Sequence, residues 1–281
     1  MKKRLLITVS GGRTSAYMAY RLLSEYSDVY EMVFVFCNTG GEHEETLHFV
    51  QKLNTFWGWP IVWLEAVTHL DSLTGCTHKI VNFESSSRDW QPYRQMIQKY
   101  GIPNIKYPHC NRELKLNVAR SYARSIGWES GSYETAIGIR LDEEHRRRKD
   151  AAKFHLIYPL LDIFPSDKID VNDFWQDQPF KLNLPKHLGN CRSCFKKSHV
   201  TLMKVMRDDP SAFNFTQEME ALHGKTKVEN GPPRVFFREK KSTLILLREF
   251  SLLDVKNLPP DTDADYGDGC SEECGLNEAY E

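Results

Sequence analysis

A buried strand that runs into paired glycines and then into a helix constrains a chain more than any bulk property. Leu5-Leu6-Ile7-Thr8-Val9 is such a strand and Ser10-Gly11-Gly12 ends it. Ala16, Ala19, Leu22, Leu23 and Tyr26 then fall on one face of a helix. The pattern recurs. Met32-Val33-Phe34-Val35-Phe36 is a second buried strand, stopped by Asn38-Thr39-Gly40-Gly41. Leu47, Val50, Leu53 and Trp57 mark the next helix, and Ile61-Val62-Trp63-Leu64 the third strand. This alternation predicts βαβ units: an α/β fold with a parallel sheet and helices on both faces.

Beyond residue 70 the pattern weakens. Asp71 to Ser87 reads as a polar loop, and a helix is expected from Trp90 to Lys99, closed by Gly101 and Pro103. Leu114, Val118 and Tyr122 give a helical face just after Cys110, and Tyr133 to Ile139 reads as a strand. Val171 to Trp175 starts a helix, while Phe236-Phe237 and Thr243 to Leu247 read as strand pieces. The expected division is an α/β domain over 1–165 with an insert at about 71–107, a helical and metal-knuckle region over 166–257, and an acidic flexible tail over 258–281.

Charge names no partner, because 37 Lys and Arg balance 38 Asp and Glu. That excludes a polybasic binder and a supercharged tail protein. The longest wholly apolar stretch, at Met32 to Cys37, is far short of the ~18–20 residues of a membrane span. The basic start Met1-Lys2-Lys3-Arg4 precedes an apolar run too short for a secretory leader, so a cytoplasmic protein is expected. Seven cysteines, an odd number in such a chain, point to metal binding or catalysis before a disulfide framework.

At Ser10-Gly11-Gly12-Arg13-Thr14-Ser15 the glycines allow a tight turn with exposed N–H groups. The helix N-terminus adds partial positive charge and the serines add donors, which together suit a pyrophosphate or sulfate-like anion. The spacing is neither that of a Walker A loop nor that of a dinucleotide fingerprint. Taken alone, it also suits an ordinary strand–turn–helix junction. Arg112, Lys115, Arg140, Arg146 and Lys79 are the cations available to face an anion. Arg140 stands out, because it ends a strand beside Gly138, where doubly wound folds bind ligands.

Cys191-Arg192-Ser193-Cys194 is a Cys-x-x-Cys knuckle able to chelate a metal or a cluster, with Lys196 and Lys197 beside it to lower the thiol pKa values. A knuckle supplies two ligands only. Cys110 and a tail cysteine, Cys270 or Cys274, are the candidates to complete it.

Ser10 to Ser15 resembles the PP-loop of the adenine nucleotide alpha-hydrolase-like superfamily. From residue 5 to about 200 the chain looks like the phosphoadenosine phosphosulfate reductase family, nearest to its phage and mobile-element members. Asn38-Thr39-Gly40 with Glu45-Thr46 resembles the family's Asp-Thr-Gly segment and Glu-Thr pair. Cys110 with Arg112, Leu114 and Lys115 resembles its Cys-Cys-x-x-Arg/Leu-Lys segment. Gly138-Ile139-Arg140 with Glu143-Glu144 and Arg146 resembles its Gly-x-Arg-x-x-Glu-Ser-x-x-Arg segment, and Glu273-Cys274-Gly275-Leu276 its mobile Glu-Cys-Gly-Leu-His. The departures are Arg13-Thr14 in place of Lys-Asp, Asn38 in place of Asp, one cysteine in place of a pair at 110, and Asn277 in place of His.

The resemblance implies an adenine nucleotide, ATP or phosphoadenosine phosphosulfate, with Mg admissible. Ser10, Gly11, Gly12, Arg13, Thr14, Ser15, Asn38, Thr39, Gly40, Gly138 and Arg140 would hold it. It implies a [4Fe–4S] cluster, with zinc as the alternative, on Cys110, Cys191, Cys194 and, as fourth ligand, Cys270. Cys274 would be the nucleophile, with Arg140 and Lys115 neutralising charge and a thioredoxin-like protein as reductant. Two other readings stand beside this reductase: an ATP-dependent sulfurtransferase acting on a nucleic acid or small molecule, and a non-catalytic nucleotide-binding regulator with a structural metal.

Overall fold

A computed structural model describes residues 2–253 and Leu258. Its centre is a six-stranded sheet of β1 (Lys3–Thr8), β2 (Tyr30–Asn38), β3 (Ile61–Val67), β4 (Thr77–Val81), β5 (Glu134–Ala136) and β6 (Leu156–Ile157) in the order β4-β3-β2-β1-β5-β6. All neighbours run parallel except β4, which lies antiparallel on the edge against β3. The helices around it are α1 (Arg13–Tyr26), α2 (Glu44–Phe56), α3 (Gln91–Tyr100), α4 (His109–Asn111), α5 (Asn117–Ser125), α6 (Pro159–Asp162), α7 (Lys168–Gln176), α8 (His199–Asp208), α9 (Ala212–His223) and α10 (Thr243–Ser251).

Leu5, Leu6, Ile7, Phe34, Val35 and Phe36 are almost wholly buried, which is why β1 and β2 read as unbroken apolar runs. The core continues through Trp175, Phe195, Phe213 and Phe250, so residues beyond 165 pack on the same apolar mass as the sheet. Segment 71–107 is also part of it. Trp90, Tyr93, Met96 and Ile97 are buried there, and α3 ends where Gly101 donates its N–H to the Ile97 carbonyl.

Phe236-Phe237 is not a strand, the strand expected over Tyr133 to Ile139 is only Glu134–Ala136, and two further expectations are corrected. Thr77–Val81 is a strand, not loop; on the sheet edge its His78 and Lys79 meet solvent, so it lacks the apolar signal of β1 or β2. Thr243–Ser251 is a helix, not a strand piece: Ser242 caps it by accepting from the Ile245 N–H, and Leu246 and Phe250 bury its inner face. Among the described residues no helix is long and apolar enough to cross a membrane.

Strand order reverses at β1, whose successors β2 and β5 flank it on opposite sides. Open parallel sheets bind ligands outside the carboxyl ends of their strands at such a point. The segments that leave β1, β2 and β5 there are Val9–Gly12, Thr39–His43 and Ile137–Arg140.

Candidate functional site

The turn after β1 is built by its own hydroxyls. Ser15 Oγ accepts from the Ser10 N–H at 3.0 Å, lies 3.0 Å from Ser10 Oγ, and donates to the Gly12 carbonyl at 3.1 Å. Gly11 takes φ +84° and Gly12 an extended conformation as the cap of α1. No side chain caps this helix, and a helix N-terminus is where anions are favoured. Thr46, from the Glu-Thr pair, packs where a Gly11 side chain would sit.

Arg140 covers this turn from β5. It is 4% exposed; its Nη1 donates to Thr14 Oγ1 at 2.8 Å, and its Nε and Nη2 grip Asp142 at 2.9 Å each. The Asp142 carboxyl is held below its usual range by that hydrogen bond. Gly138 lies against the Ser15 backbone, with room for little more than van der Waals contact. Arg13 turns elsewhere. Buried, it donates from Nε and Nη2 to the Leu182 carbonyl at 3.0 and 2.5 Å, while its own carbonyl accepts from Trp175 Nε1.

Asn38 ends β2 as a clamp. Its Nδ2 donates to Glu65 Oε1 at 2.6 Å and to the Ser87 carbonyl at 2.8 Å, and its Oδ1 accepts from the Gly40 N–H at 3.2 Å. Glu65 is wholly buried and also accepts from Ser87. Lys79, one of the cations expected to face an anion, pairs with Glu65 at 2.9 Å instead. Arg112 likewise pairs with Glu113 at 2.8 Å, and Arg146 with Glu143 at 2.7 Å.

The Thr39–Gly41 loop meets the cysteine knuckle directly. Thr39 Oγ1 lies 3.4 Å from Cys191 Sγ, and the Arg192 N–H donates to the Gly41 carbonyl at 3.2 Å. Trp90 presses on the other side. A Cβ on Gly41 would overlap its ring, so only glycine admits it. Trp90 itself holds φ +64°, an uncommon state for a bulky residue, and stacks on Phe215 at 4.2 Å. Lys197 is buried and donates to the carbonyls of His187 and Arg192 at 2.6 and 2.7 Å, bracing the knuckle from behind.

Tyr93 joins the three expected cysteines. Its hydroxyl is pushed well above the phenol range, first by burial and then by Cys110, Cys191 and Cys194, with a hydrogen bond to Cys110. Three cysteines from distant parts of the chain thus act on one buried phenol. Among the described residues no three His, Cys, Asp or Glu side chains form a ready metal constellation; Cys270 and Cys274 lie outside the described residues. His109 Nε2 is within 3.1 Å of the Gly101 carbonyl.

Lys115 sits in a π-helical turn, Arg112–Leu116, of the kind frequent at functional sites. It acts on both Cys37 and Glu42. Glu42, which no sequence motif singles out, accepts from the Thr39 N–H at 3.0 Å and from Thr39 Oγ1 at 2.8 Å. Burial raises its pKa, against the opposing effects of Lys115 and Thr39. A carboxyl so placed is a candidate proton donor beside the loop.

Burial pushes the Cys37 thiol up to about 12 and the Cys76 thiol up to about 11. The thiolate is the reactive form, so almost none exists at pH 8. Iodoacetamide at that pH is expected to leave both untouched in the native protein and to modify both after denaturation, read by peptide mass spectrometry. Labelling of either at the denatured rate would refute their enclosure.

The chain is 29% identical over 279 residues to the "Uncharacterized nin region protein ORF290" of Escherichia phage lambda, an overlap of 96% of this chain and 94% of the relative. No family model matches the chain, and no solved structure matches it at a significant level.

Proposed function

We infer that the protein is a phosphoadenosine phosphosulfate reductase-like enzyme, binding an adenylyl nucleotide at the turn after β1 and performing thiol-dependent sulfur chemistry beside it. One observation carries the reading: the anion-ready turn, its Arg140 cover and the Thr39–Cys191 contact all leave the same ends of adjacent parallel strands. Ser10, Gly11, Gly12 and Ser15 would hold phosphate or sulfate through N–H groups and hydroxyls. Arg140, already fixed by Asp142, would neutralise charge without reorganising. Thr39 and Gly40 would line the nucleoside side, with Glu42, bonded to Thr39, as the candidate proton donor. Cys274 would supply the attacking thiolate.

Cys110, Cys191 and Cys194 all act on Tyr93; they form no ready constellation among the described residues, but with Cys270 their thiols would have the chemistry of a soft metal centre. A [4Fe–4S] cluster, when bound, would supply electrons or an open iron for sulfide; zinc would only tie the segments together. Three gathered thiolates also favour a second reading, the ATP-dependent sulfurtransferase, in which the fourth iron position stays open.

Calorimetry decides the nucleotide. Gly12 is extended, so Gly12→Val meets no backbone strain yet places a branched side chain at the anion turn. Affinity for phosphoadenosine phosphosulfate or ATP is expected to fall at least about tenfold, some 1.4 kcal/mol. Equal affinity in the variant would reject the loop as the site. For the metal, Cys110→Ser and Cys191→Ser are each expected to remove the iron and sulfide found in anaerobically purified protein. Retention of both in either variant would reject a shared centre.

A further inference from the structure

A second cleft, of about 1390 Å³, lies apart from the turn after β1. Its walls are residues 104–107, the outer face of α9, and the stretch from Lys227 into the first turn of α10. Its volume exceeds the ~300–1,000 Å³ of ordinary small-ligand pockets, so it suits an extended ligand.

The lining is basic. Lys106, Lys227, Arg238 and Lys240 are exposed along it, and Arg234 is half-buried in its wall. Of the three carboxylates present, Glu220 is turned to the N–H groups of Phe236 and Thr243, and Glu239 pairs with Lys241 at 3.0 Å. Five cations thus stand against three carboxylates, and the lining is net positive. The N-terminus of α10 opens on the same cleft and adds to its positive field.

The lining also carries apolar and aromatic groups. The Arg234 guanidinium lies 4.3 Å from the Tyr107 ring centre, held there by the carbonyls of Tyr100 and Lys227. Exposed Ile105, Leu244 and Ile245 extend this platform. Lys106 Nζ lies 5.5 Å from the Tyr107 ring centre, so the cluster offers cations to phosphates, and a base would stack there on the guanidinium plane or in place of the lysine. A duplex hides its base faces, and an acidic peptide has no aromatic bases to stack.

We propose that this cleft binds single-stranded nucleic acid, without strong sequence preference. Its position gives the binding a purpose. Residues 104–107 run directly into Cys110, and Arg238 Nη2 donates to the carbonyl of Lys196, two residues beyond Cys194. Both walls are thus linked through the chain to segments that carry Cys110 and Cys194. The inference does not depend on the nucleotide at the turn after β1.

The test is fluorescence anisotropy of the full chain with labelled oligo(dT) and oligo(U) of about 20 nucleotides, longer than the ~4–16 of a typical single-strand site. Affinity is expected to fall with salt. The Lys106→Glu/Lys227→Glu/Lys240→Glu variant is expected to bind at least about tenfold more weakly, with a log–log salt slope shallower by about 2, at ~0.7 for each phosphate no longer neutralised. Tyr107→Ala is expected to lose about tenfold with the slope unchanged. The unfolding midpoint and nucleotide titration of each variant should match the parent. No binding by the parent, equal binding by both variants, or equally tight binding of a duplex or of polyglutamate would overturn the proposal.

Discussion

Gly11→Ala should destabilise the protein by about 2–5 kcal/mol in urea unfolding, the sum of ~1–2 for a side chain in the left-handed region and ~1–3 for overpacking. Both causes are local and separable. Gly11 holds φ +84°, and a Cβ there would overlap Thr46 Cγ2. Thr46→Ser removes that methyl. In the Gly11→Ala/Thr46→Ser pair the clash should disappear and the backbone cost remain, giving a favourable coupling of about 1–3 kcal/mol in a double-mutant cycle. A loss below about 0.5 kcal/mol for Gly11→Ala would mean that the turn is neither left-handed at Gly11 nor packed against Thr46. Gly12→Ala is the control, because Gly12 is extended and any residue adopts that state.

Asn38→Asp is expected to cost about 3–5 kcal/mol at pH 7, the usual size for a buried group left facing a like charge. Asn38 gives both its N–H bonds to acceptors, Glu65 Oε1 at 2.6 Å and the Ser87 carbonyl at 2.8 Å. A carboxylate there would replace two donors by lone pairs beside a wholly buried carboxylate. The variant can fold well only by binding a proton between the two groups. Its folded state then holds a proton that its unfolded state releases above about pH 4. Stability of the variant therefore falls as pH rises through that range, and its deficit shrinks on acidification. Adding Glu65→Gln should recover part of the loss, since an amide can donate to the new carboxylate. A pH-independent deficit, or none, would dismiss the clamp.

Much of the sheet was legible in the chain. Leu5 to Val9, Met32 to Phe36 and Ile61 to Leu64 are apolar almost throughout because parallel strands are covered on both faces, and helical spacing between them forces the crossovers. The same local logic marked the turn between β1 and α1, while the strand expected to run to Gly138–Arg140 stops at Ala136. These signals survive in sequence because each depends on residues a few positions apart. Edge strand β4 and helix α10 escaped, since a half-solvated strand and a short capped helix carry weak periodicity.

What the sequence could not supply is which distant groups meet. Arg13 could have faced the anion or the core; the Leu182 carbonyl, which folding brings beside it, took its guanidinium. Lys79 could have been a ligand; a buried carboxylate on the neighbouring strand claimed it. Trp90, inside what read as an insert, closes on Gly41, and Tyr93 gathers Cys110 with Cys191 and Cys194. Composition and spacing determined β1, β2 and β3, the helices between them and the turn between β1 and α1. Its pairings were decided only in three dimensions, because a buried charge or thiol takes its character from whatever neighbour packing leaves within hydrogen-bond reach, and that neighbour is fixed by the whole fold.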